Sequence, residues 1–230
     1  SLVFGLASIV VSYQLTKYLW QEKVALITAF LLAISVFHID YAQEARMYSL
    51  LTFLSVSSFY FFLKWKDSAA KKWMFLLFLI NLLFLYTHTL AVFFIAAQNI
   101  YYFLLKKKGA IVVKSWIILQ LLLLLAFLPW IQIFVLQASV WQNMVWMPAP
   151  TIRDIAGTLS TYSGSILLTL VFCVLILKAL IHYKKEQLKF KFFVFWLAFP
   201  TALLLVFCFL FQSIYLQKYT IASSLPFFIL

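Results

Sequence analysis

The chain has 230 residues, of which 66% are hydrophobic and only 10% are charged, and its mean hydropathy is +1.05. A soluble domain is nearer half apolar and a quarter charged, so this composition excludes a soluble globular protein. Apolar runs of span length recur from end to end, which predicts an all-α, polytopic transmembrane helical bundle. In a soluble protein the net charge of +12 would suggest nucleic acid, but its distribution along this chain excludes that partner.

The apolar segments predict about nine spans within a single transmembrane domain, residues 1–230. Ser1 is not an initiator methionine and the last residues stop inside an apolar run, so we expect the domain to be truncated at both ends. The stretch 73–105 is too long for one ordinary span, and we interpret it as two short helices with an outer turn at Tyr86–Thr89; one long tilted helix is the alternative. The predicted spans are 1–20, 24–37, 47–63, the pair within 73–105, 111–129, 164–181, 192–211 and a last run from 221.

Lysine placement predicts the orientation of these spans. Four links carry 15 of the 18 basic residues, and cytoplasmic loops carry the lysine and arginine excess. We therefore assign the links 17–23, 64–72, 106–114 and 178–191 to the cytoplasmic side. The outer loops are then 38–46, 131–163 and 212–220. Their few charges sum to zero, so the whole net charge is a topology signal.

The most densely charged stretch is HIDYAQEARMY, His38 to Tyr48, between two apolar runs. A carboxylate or guanidinium facing lipid costs about 2.5–3.5 kcal/mol at mid-membrane, so we expect this loop to form part of a polar active site on the outer face. The Arg46 fork suits phosphate or carboxylate, and Glu44 suits a sugar hydroxyl, a metal or a proton. In a continuous helix Glu44 and Tyr48 share a face, and Glu44 and Arg46 do not pair. An interfacial salt bridge with tyrosine anchors is the alternative.

Three further outer positions are candidates, each with a simpler alternative. His88, between two threonines, is either a site residue or a satisfied interfacial histidine. Arg153 follows WMPAP in a segment predicted as an interfacial helix or ordered loop, which is either a lid over a lipid-linked substrate or a membrane anchor. Lys218, next to Tyr219, either holds a phosphate or snorkels. No second histidine stands at a metal-ligand spacing, so no metal site is predicted from this sequence.

The two cysteines, Cys173 and Cys208, both fall inside apolar runs. Free cysteine behaves as a small hydrophobe in such positions. We therefore predict that they are packing residues and do not form a disulfide or a metal pair.

The run ALITAFLLAISVFHIDYAQEARMYSLL resembles the GT-C type membrane glycosyltransferases related to dolichyl-phosphate-mannose protein mannosyltransferases and aminoarabinose transferases. The resemblance extends to YTHTLAVFFIAAQNIYYFLL, WMPAPTIRDI and QKYTIASSLPFFIL. In relatives the last segment usually has Arg-Tyr where this chain has Lys218-Tyr219. Lysine keeps the charge but loses the planar fork, which weakens a phosphate role carried over to this position.

The resemblance implies transfer of a sugar from a polyprenyl-phosphate carrier to a lipid, glycan or protein acceptor. It places the enzyme as a multi-pass protein of a bacterial or archaeal plasma membrane, in contact with membrane lipid and with the active site on the outer face. The principal catalytic acid is expected in an outer loop upstream of Ser1. No cofactor is firmly implied, and a divalent metal is left open. The substrate-binding candidates are Glu44, Arg46, Tyr48, His88, Arg153, Lys218 and Tyr219.

Two rival functions come from other classes. The first is a transporter or flippase for lipid-linked sugars. Such proteins tend to have broken, Gly/Pro-rich spans and midplane charges, and the four glycines of this chain argue against that function. The second is a structural membrane subunit, which leaves the balanced outer charges unexplained.

Overall fold

The structure is a computed structural model that describes residues 1–104, 110–142, 149–182, 187–211 and 213–230. All regular structure within these ranges is helical, in agreement with the prediction from composition. The helices are α1 (Leu2–Leu19), α2 (Glu22–Ala33), α3 (Val36–Gln43), α4 (Tyr48–Ser68), α5 (Lys71–Thr87), α6 (Ala91–Leu104), α7 (Ala110–Gln142), α8 (Ile152–Ser163), α9 (Ile166–His182), α10 (Gln187–Leu210) and α11 (Ile221–Ile229), with a 3-10 helix at Gln217–Thr220 directly before α11.

Helix α4 lies at the centre of the bundle and packs against α1, α5 and α11. Three buried serines, Ser55, Ser57 and Ser58, lie on its middle turns, and small residues of this kind let helix backbones approach closely. The Ser55 hydroxyl donates to the Ala222 carbonyl at 2.9 Å, which joins α4 to α11. Because α11 is buried along its whole length, the 3-10 helix before it is held close to the start of α4.

A ring of buried polar side chains joins α4, α5 and α6. The Ser58 hydroxyl donates to Asn81 Oδ1, and Asn81 Nδ2 donates to Gln98 Oε1 at 3.0 Å. Gln98 Nε2 donates back to Ser58 Oγ, so each side chain satisfies its neighbour. In an apolar surrounding, such satisfied contacts between helices stabilise one arrangement of the bundle.

Within the long apolar stretch 73–105, the described residues 73–104 lie in two helices, as predicted, and the alternative of a single long helix is wrong. Helix α5 ends at Thr87 and α6 begins at Ala91. The break lies at His88, which has extended backbone angles (φ −157°, ψ 136°) and takes the chain out of the helix. This break brings a polar segment to one end of the bundle.

The count of about nine spans is not confirmed. By length and composition, three described helices are able to cross a membrane, namely α1, residues 113–133 of α7 and residues 188–210 of α10. The number rises to five if each of two bent pairs forms one span: α2 with α3, bent by 57°, and α8 with α9, bent by 86°. Helix α6 has only 14 residues, about 21 Å of rise, which is shorter than a hydrocarbon core of about 30 Å.

Parts of the three predicted outer loops are helical in the described residues. Most of the predicted loop 38–46 is helical, because α3 continues to Gln43. The predicted loop 131–163 is largely helical as well, since α7 runs through Pro129 to Gln142 and α8 follows. Residues 143–148, which include Trp146 and Met147, lie outside the described ranges. The predicted loop 212–220 contains a short 3-10 helix at its end.

The lysines gather at one end of the bundle, here named the lysine end. Trp65 of α4 stacks on Trp116 of α7 with ring centroids 5.2 Å apart, and Lys189 of α10 donates to the Leu19 carbonyl at 2.5 Å, so these helix ends meet there. The opposite end carries Arg46 with the start of α4, the break between α5 and α6, and the 3-10 helix. The lysine end includes Lys17, Lys23, Lys64, Lys66, Lys71, Lys72, Lys114, Lys189 and Lys191.

Cys173 and Cys208 are both free thiols. Cys208 is buried in a small cluster with Leu90, Leu204 and Ile214, and Cys173 is half-buried on α9. The Cys208 thiol therefore acts as a packing group near the end of α10.

Candidate active site

The segment between α3 and α4 leaves the helical conformation, so the continuous helix considered from the sequence is not formed. Glu44 ends α3 with extended backbone angles (φ −72°, ψ 135°), and the Arg46 N–H donates to the Glu44 carbonyl at 2.8 Å. The turn brings Arg46 Nε within 3.9 Å of Glu44 Oε2, which corrects the expectation that the two charges do not pair. Both side chains are about half exposed, and exposed pairs are weak, so Arg46 remains able to bind another anion.

Tyr48, the first residue of α4, is buried among aromatic rings. Its ring centroid lies 5.0 Å from that of Tyr41 and 6.5 Å from that of Tyr219. The Ser49 hydroxyl donates to the Tyr41 carbonyl at 2.8 Å, which fixes the end of α3 against the start of α4. This packing holds the Arg46 turn at the edge of an aromatic cluster.

Lys218 and Tyr219 reach the same place from the other end of the chain. The Lys218 ammonium lies 5.7 Å from the centre of the Tyr48 ring and 5.8 Å from the centre of the Tyr219 ring, within the range of cation–π attraction. In the described part of the chain, no carboxylate is within salt-bridge distance of Lys218. Burial raises the pKa of the Tyr219 hydroxyl, and the Lys218 and Arg46 charges oppose this shift, so both cations act at Tyr219.

His88, in the break between α5 and α6, packs its ring against Tyr219 at 5.5 Å. Its Nδ1 accepts a hydrogen bond from the Leu90 N–H at 3.1 Å, so the proton of the neutral ring is on Nε2. Burial lowers the pKa of His88 to about 4. At neutral pH this side chain is therefore an uncharged hydrogen-bond donor beside Tyr219.

The buried state of His88 predicts a loss of stability in mild acid. The unfolded chain binds a proton on this ring with a pKa of 6.5, whereas the folded chain does so only near 4. Between these values the unfolded state binds more protons, so the free energy of unfolding falls by up to about 1.4 kcal/mol per pH unit as the pH decreases. Thermal unfolding midpoints of the full-length protein in detergent, measured between about pH 7 and 4.5, should show this decline.

His88→Asn is the matched variant for that measurement, because the amide keeps an acceptor for the Leu90 N–H and does not titrate. We expect its midpoint to depend less on pH than that of the wild type over the same interval. Equal pH dependence in the two proteins would contradict a buried neutral His88.

Helix α8 supports the 3-10 helix that carries Lys218. The Thr161 hydroxyl donates to Gln217 Oε1 at 2.9 Å, and the Tyr162 hydroxyl donates to the Thr220 carbonyl at 2.9 Å. Gly157 faces Gln217 so closely that a Cβ there would lie 3.0 Å from Nε2. These contacts fix both ends of the short segment, and they position Lys218 and Tyr219 against Tyr48.

A cavity of about 130 Å³ lies beside this cluster, between α1, the α2–α3 bend and the start of α4. His38 and Gln43 line it on the α3 side and Ser49 lines it on the α4 side. The Ser224 hydroxyl donates to the Ile221 carbonyl, so it accepts from His38 Nε2–H at 2.8 Å.

Among the described residues, no group of three or more His, Cys, Asp or Glu side chains is arranged to hold a metal ion.

Comparison with known protein families identifies the family of this chain. Residues 1–133, more than half of the chain, match the family model described as dolichyl-phosphate-mannose-protein mannosyltransferase. The chain belongs to this mannosyltransferase family. Membership makes it a membrane protein of a glycosyltransferase family, in agreement with its apolar helices. No curated protein and no solved structure matches the chain.

Most of the substrate-binding candidates predicted from the sequence lie close together in the structure. They come from three separate segments, the α3–α4 turn, the α5–α6 break and the 3-10 helix. Arg153 is different: it lies exposed in the first turn of α8, and no hydrogen bond or ion pair joins it to the others in the described part of the chain. Its binding role stays a prediction. The residues that converge are Glu44, Arg46, Tyr48, His88, Lys218 and Tyr219.

The supporting residues of this site were not identified from the sequence. Tyr41 lies within the charged stretch, but its contact with Tyr48 depends on the turn at Glu44–Met47. Tyr162 and Gln217 lie in segments that the sequence predicts as loops, and their contacts join parts of the chain that are far apart. One local signal existed: Thr151 and Asp154 form a capping box, the pattern that marks the start of a helix.

Proposed function

We propose that this family member transfers a sugar from a polyprenyl-phosphate carrier to a lipid, glycan or protein acceptor. The observation that supports this most is the meeting of Arg46 and Lys218 around Tyr48 and Tyr219, at one end of an apolar bundle. The two cations come from distant parts of the sequence, and the charges of both oppose the rise in the pKa of the Tyr219 hydroxyl. An anionic group between them is the natural ligand, and a phosphate fits both the guanidinium and the ammonium.

The proposed chemistry explains why two cations are useful. An acceptor hydroxyl or amine attacks the anomeric carbon, the bond from that carbon to the phosphate oxygen breaks, and the electron pair leaves with the polyprenyl phosphate. The acceptor proton passes to a general base, which the family resemblance leads us to expect to be a carboxylate. The phosphodiester carries one negative charge and the departing monoester carries two, so cations stabilise the transition state more than the bound donor.

The neighbouring polar groups have binding roles in this proposal. Glu44, beside Arg46, is an acceptor for a sugar hydroxyl, and His88 Nε2–H is a neutral donor. The Tyr48 and Tyr219 rings, whose centroids are 6.5 Å apart, lie beside the Lys218 ammonium. A divalent metal at the phosphate stays a proposal. The binding roles given above do not require it, and these residues do not define a site for it.

The proposed membrane orientation follows from the charges. The lysine end is expected to face the cytoplasm, because cytoplasmic segments carry the lysine and arginine excess. The Arg46 and Lys218 end would then lie on the non-cytoplasmic face, in a bacterial or archaeal plasma membrane. A lipid-linked donor reaches such a site from within the bilayer.

The deciding experiment follows the fate of the sugar. Full-length protein in proteoliposomes is given a polyprenyl-phosphate sugar labelled in the sugar, with native membrane extract as the acceptor pool. We expect the label to leave the carrier, with release of polyprenyl phosphate. Label that crosses the membrane still attached to its carrier would mean a flippase, and label that neither moves nor leaves the carrier would mean a structural subunit.

A further inference from the structure

The α4–α5 turn, residues 64–73 at the lysine end, combines lysines with aromatic rings. The Lys64 ammonium lies 3.6 Å from the centre of the Tyr18 ring, and the Tyr60 and Trp73 rings lie at 5.5 and 5.7 Å. The Tyr18 hydroxyl donates to Asp67 Oδ2 at 2.7 Å, so α1 is tied to the end of α4. The turn is therefore a fixed part of the bundle surface, with its cations held among rings.

The cations of this turn exceed its carboxylates. Asp67 already pairs with Lys66 at 2.7 Å. Lys71 and Lys72 are exposed in the first turn of α5, which contains no acidic residue. Within the described ranges, no carboxylate is in salt-bridge distance of Lys64, Lys71 or Lys72. Three positive charges therefore lie within nine residues without an ion-pair partner among the described groups.

The surroundings of the turn identify the kind of anion that fits. Tyrosine and tryptophan side chains concentrate at the headgroup level of a membrane, and Tyr18, Tyr60 and Trp73 surround Lys64 there. Two residues beyond Trp73, the Phe75 side chain is 63% exposed on an apolar helix, as expected for contact with lipid chains. An anion at this level, with apolar chains beside it, is the headgroup of an anionic phospholipid.

We propose that the α4–α5 turn is a binding site for the phosphate of an anionic phospholipid, held by Lys71 and Lys72, with Lys64 near the same Trp73 ring as Lys72. The site lies at the opposite end of the bundle from Arg46 and Lys218 and does not depend on the proposed transfer function. Bound lipid would stabilise the junction of α1, α4 and α5, because the same turn holds Tyr18 through Asp67. Stability of the whole bundle should therefore increase with the anionic fraction of the membrane.

The test uses full-length protein in nanodiscs of phosphatidylcholine with increasing phosphatidylglycerol, read by thermal unfolding and by native mass spectrometry of retained lipid. In K71Q/K72Q we expect the apparent affinity for phosphatidylglycerol to fall about 25-fold, about fivefold for each lysine. The matched control is K23Q/K191Q, which removes two exposed lysines from the same end but outside the turn. This control should retain wild-type affinity.

Three results would overturn the proposal. One is an equal loss in both double variants, because the effect would then be general surface charge. Another is unchanged affinity in K71Q/K72Q. The third is full stabilisation by inorganic phosphate in pure phosphatidylcholine, which would make the turn a free-anion site. Unfolding midpoints in pure phosphatidylcholine show whether each variant is folded, and the single variants K71Q and K72Q replace the pair if it is not.

Discussion

Arg46→Ala is expected to lower kcat for sugar transfer by about 100-fold or more, with a much smaller change in KM. In the proposed reaction the leaving phosphate gains a negative charge as the bond to the sugar breaks. A guanidinium that contacts this phosphate stabilises the transition state more than the bound donor, so its removal affects kcat first. Initial rates with a labelled polyprenyl-phosphate sugar, measured on full-length protein over a range of donor concentrations, separate the two constants.

Two controls accompany that variant. Arg46→Lys keeps the charge and loses the planar fork, so its kcat should lie between those of wild type and Arg46→Ala. Lys23→Ala removes an exposed cation at the lysine end, and its kcat should stay at the wild-type value. The Arg46 side chain is 58% exposed, so all variants should unfold at similar temperatures. Full transfer activity in Arg46→Ala would remove Arg46 from the proposed site.

Helical class and the importance of the charged stretch could be predicted because both depend on local composition. Apolar residues in runs of span length have few stable arrangements other than a membrane helix. A charged side chain between such runs has a high free-energy cost if it faces lipid, so its presence indicates a functional role. The break at His88 was predictable for a similar reason, since the run 73–105 exceeds the length of one span. In each case the deciding information lay within a few tens of neighbouring residues.

The turn at Glu44–Met47 could not be predicted in the same way. The residues EARM contain no glycine or proline and favour a helix, so local propensity indicates that α3 and α4 are continuous. The chain leaves the helix because packing decides the path: Ser1 Oγ contacts the Arg46 carbonyl, and Ser49 holds the Tyr41 carbonyl. Only this turn brings Arg46 near Glu44.

Helix α7 extends further than the predicted span 111–129. Its candidate membrane span is Val113–Ile133, close to the prediction, and the helix continues past Pro129 to Gln142. Proline removes one backbone hydrogen bond, but in membrane helices neighbouring groups compensate for this loss, and the helix persists. The residues after Pro129 therefore extend the helix, and the polar segment that contacts the site begins only at α8.

The contact between Lys218 and Tyr48 is the feature of the site that is hardest to predict from the sequence. It depends on how α11 packs beside α4, through contacts such as that between Ser55 and Ala222, and on the support of the 3-10 helix by α8. These contacts join residues more than 50 positions apart. A single sequence shows which residues are charged or aromatic, but it does not show which distant residues are in contact.

Lys218→Ala is expected to lower kcat for transfer by about 100-fold, for the same electrostatic reason as Arg46→Ala. Lys218→Arg should retain most of the activity, because it keeps the cation on the 3-10 helix and supplies a planar fork suited to phosphate. Tyr162→Phe, which loses only the hydrogen bond to the Thr220 carbonyl, should have a smaller effect by loosening the support of that helix. Equal kcat values in Lys218→Ala and wild type would contradict a phosphate role for Lys218.

The double variant Arg46→Ala/Lys218→Ala tests whether both cations hold one phosphate. Independent sites would multiply two losses of about 100-fold into one of about 10,000-fold. A shared phosphate predicts a smaller combined loss, because a leaving group no longer held by one cation gains less from the other. The cycle needs kcat for the four proteins in one donor preparation, with Lys218→Arg in the Arg46→Ala background as the matched control. If the loss of kcat in the double variant equals the product of the two single losses, the two residues act on different ligands. If the combined loss is clearly smaller than that product, one phosphate lies between the α3–α4 turn and the 3-10 helix.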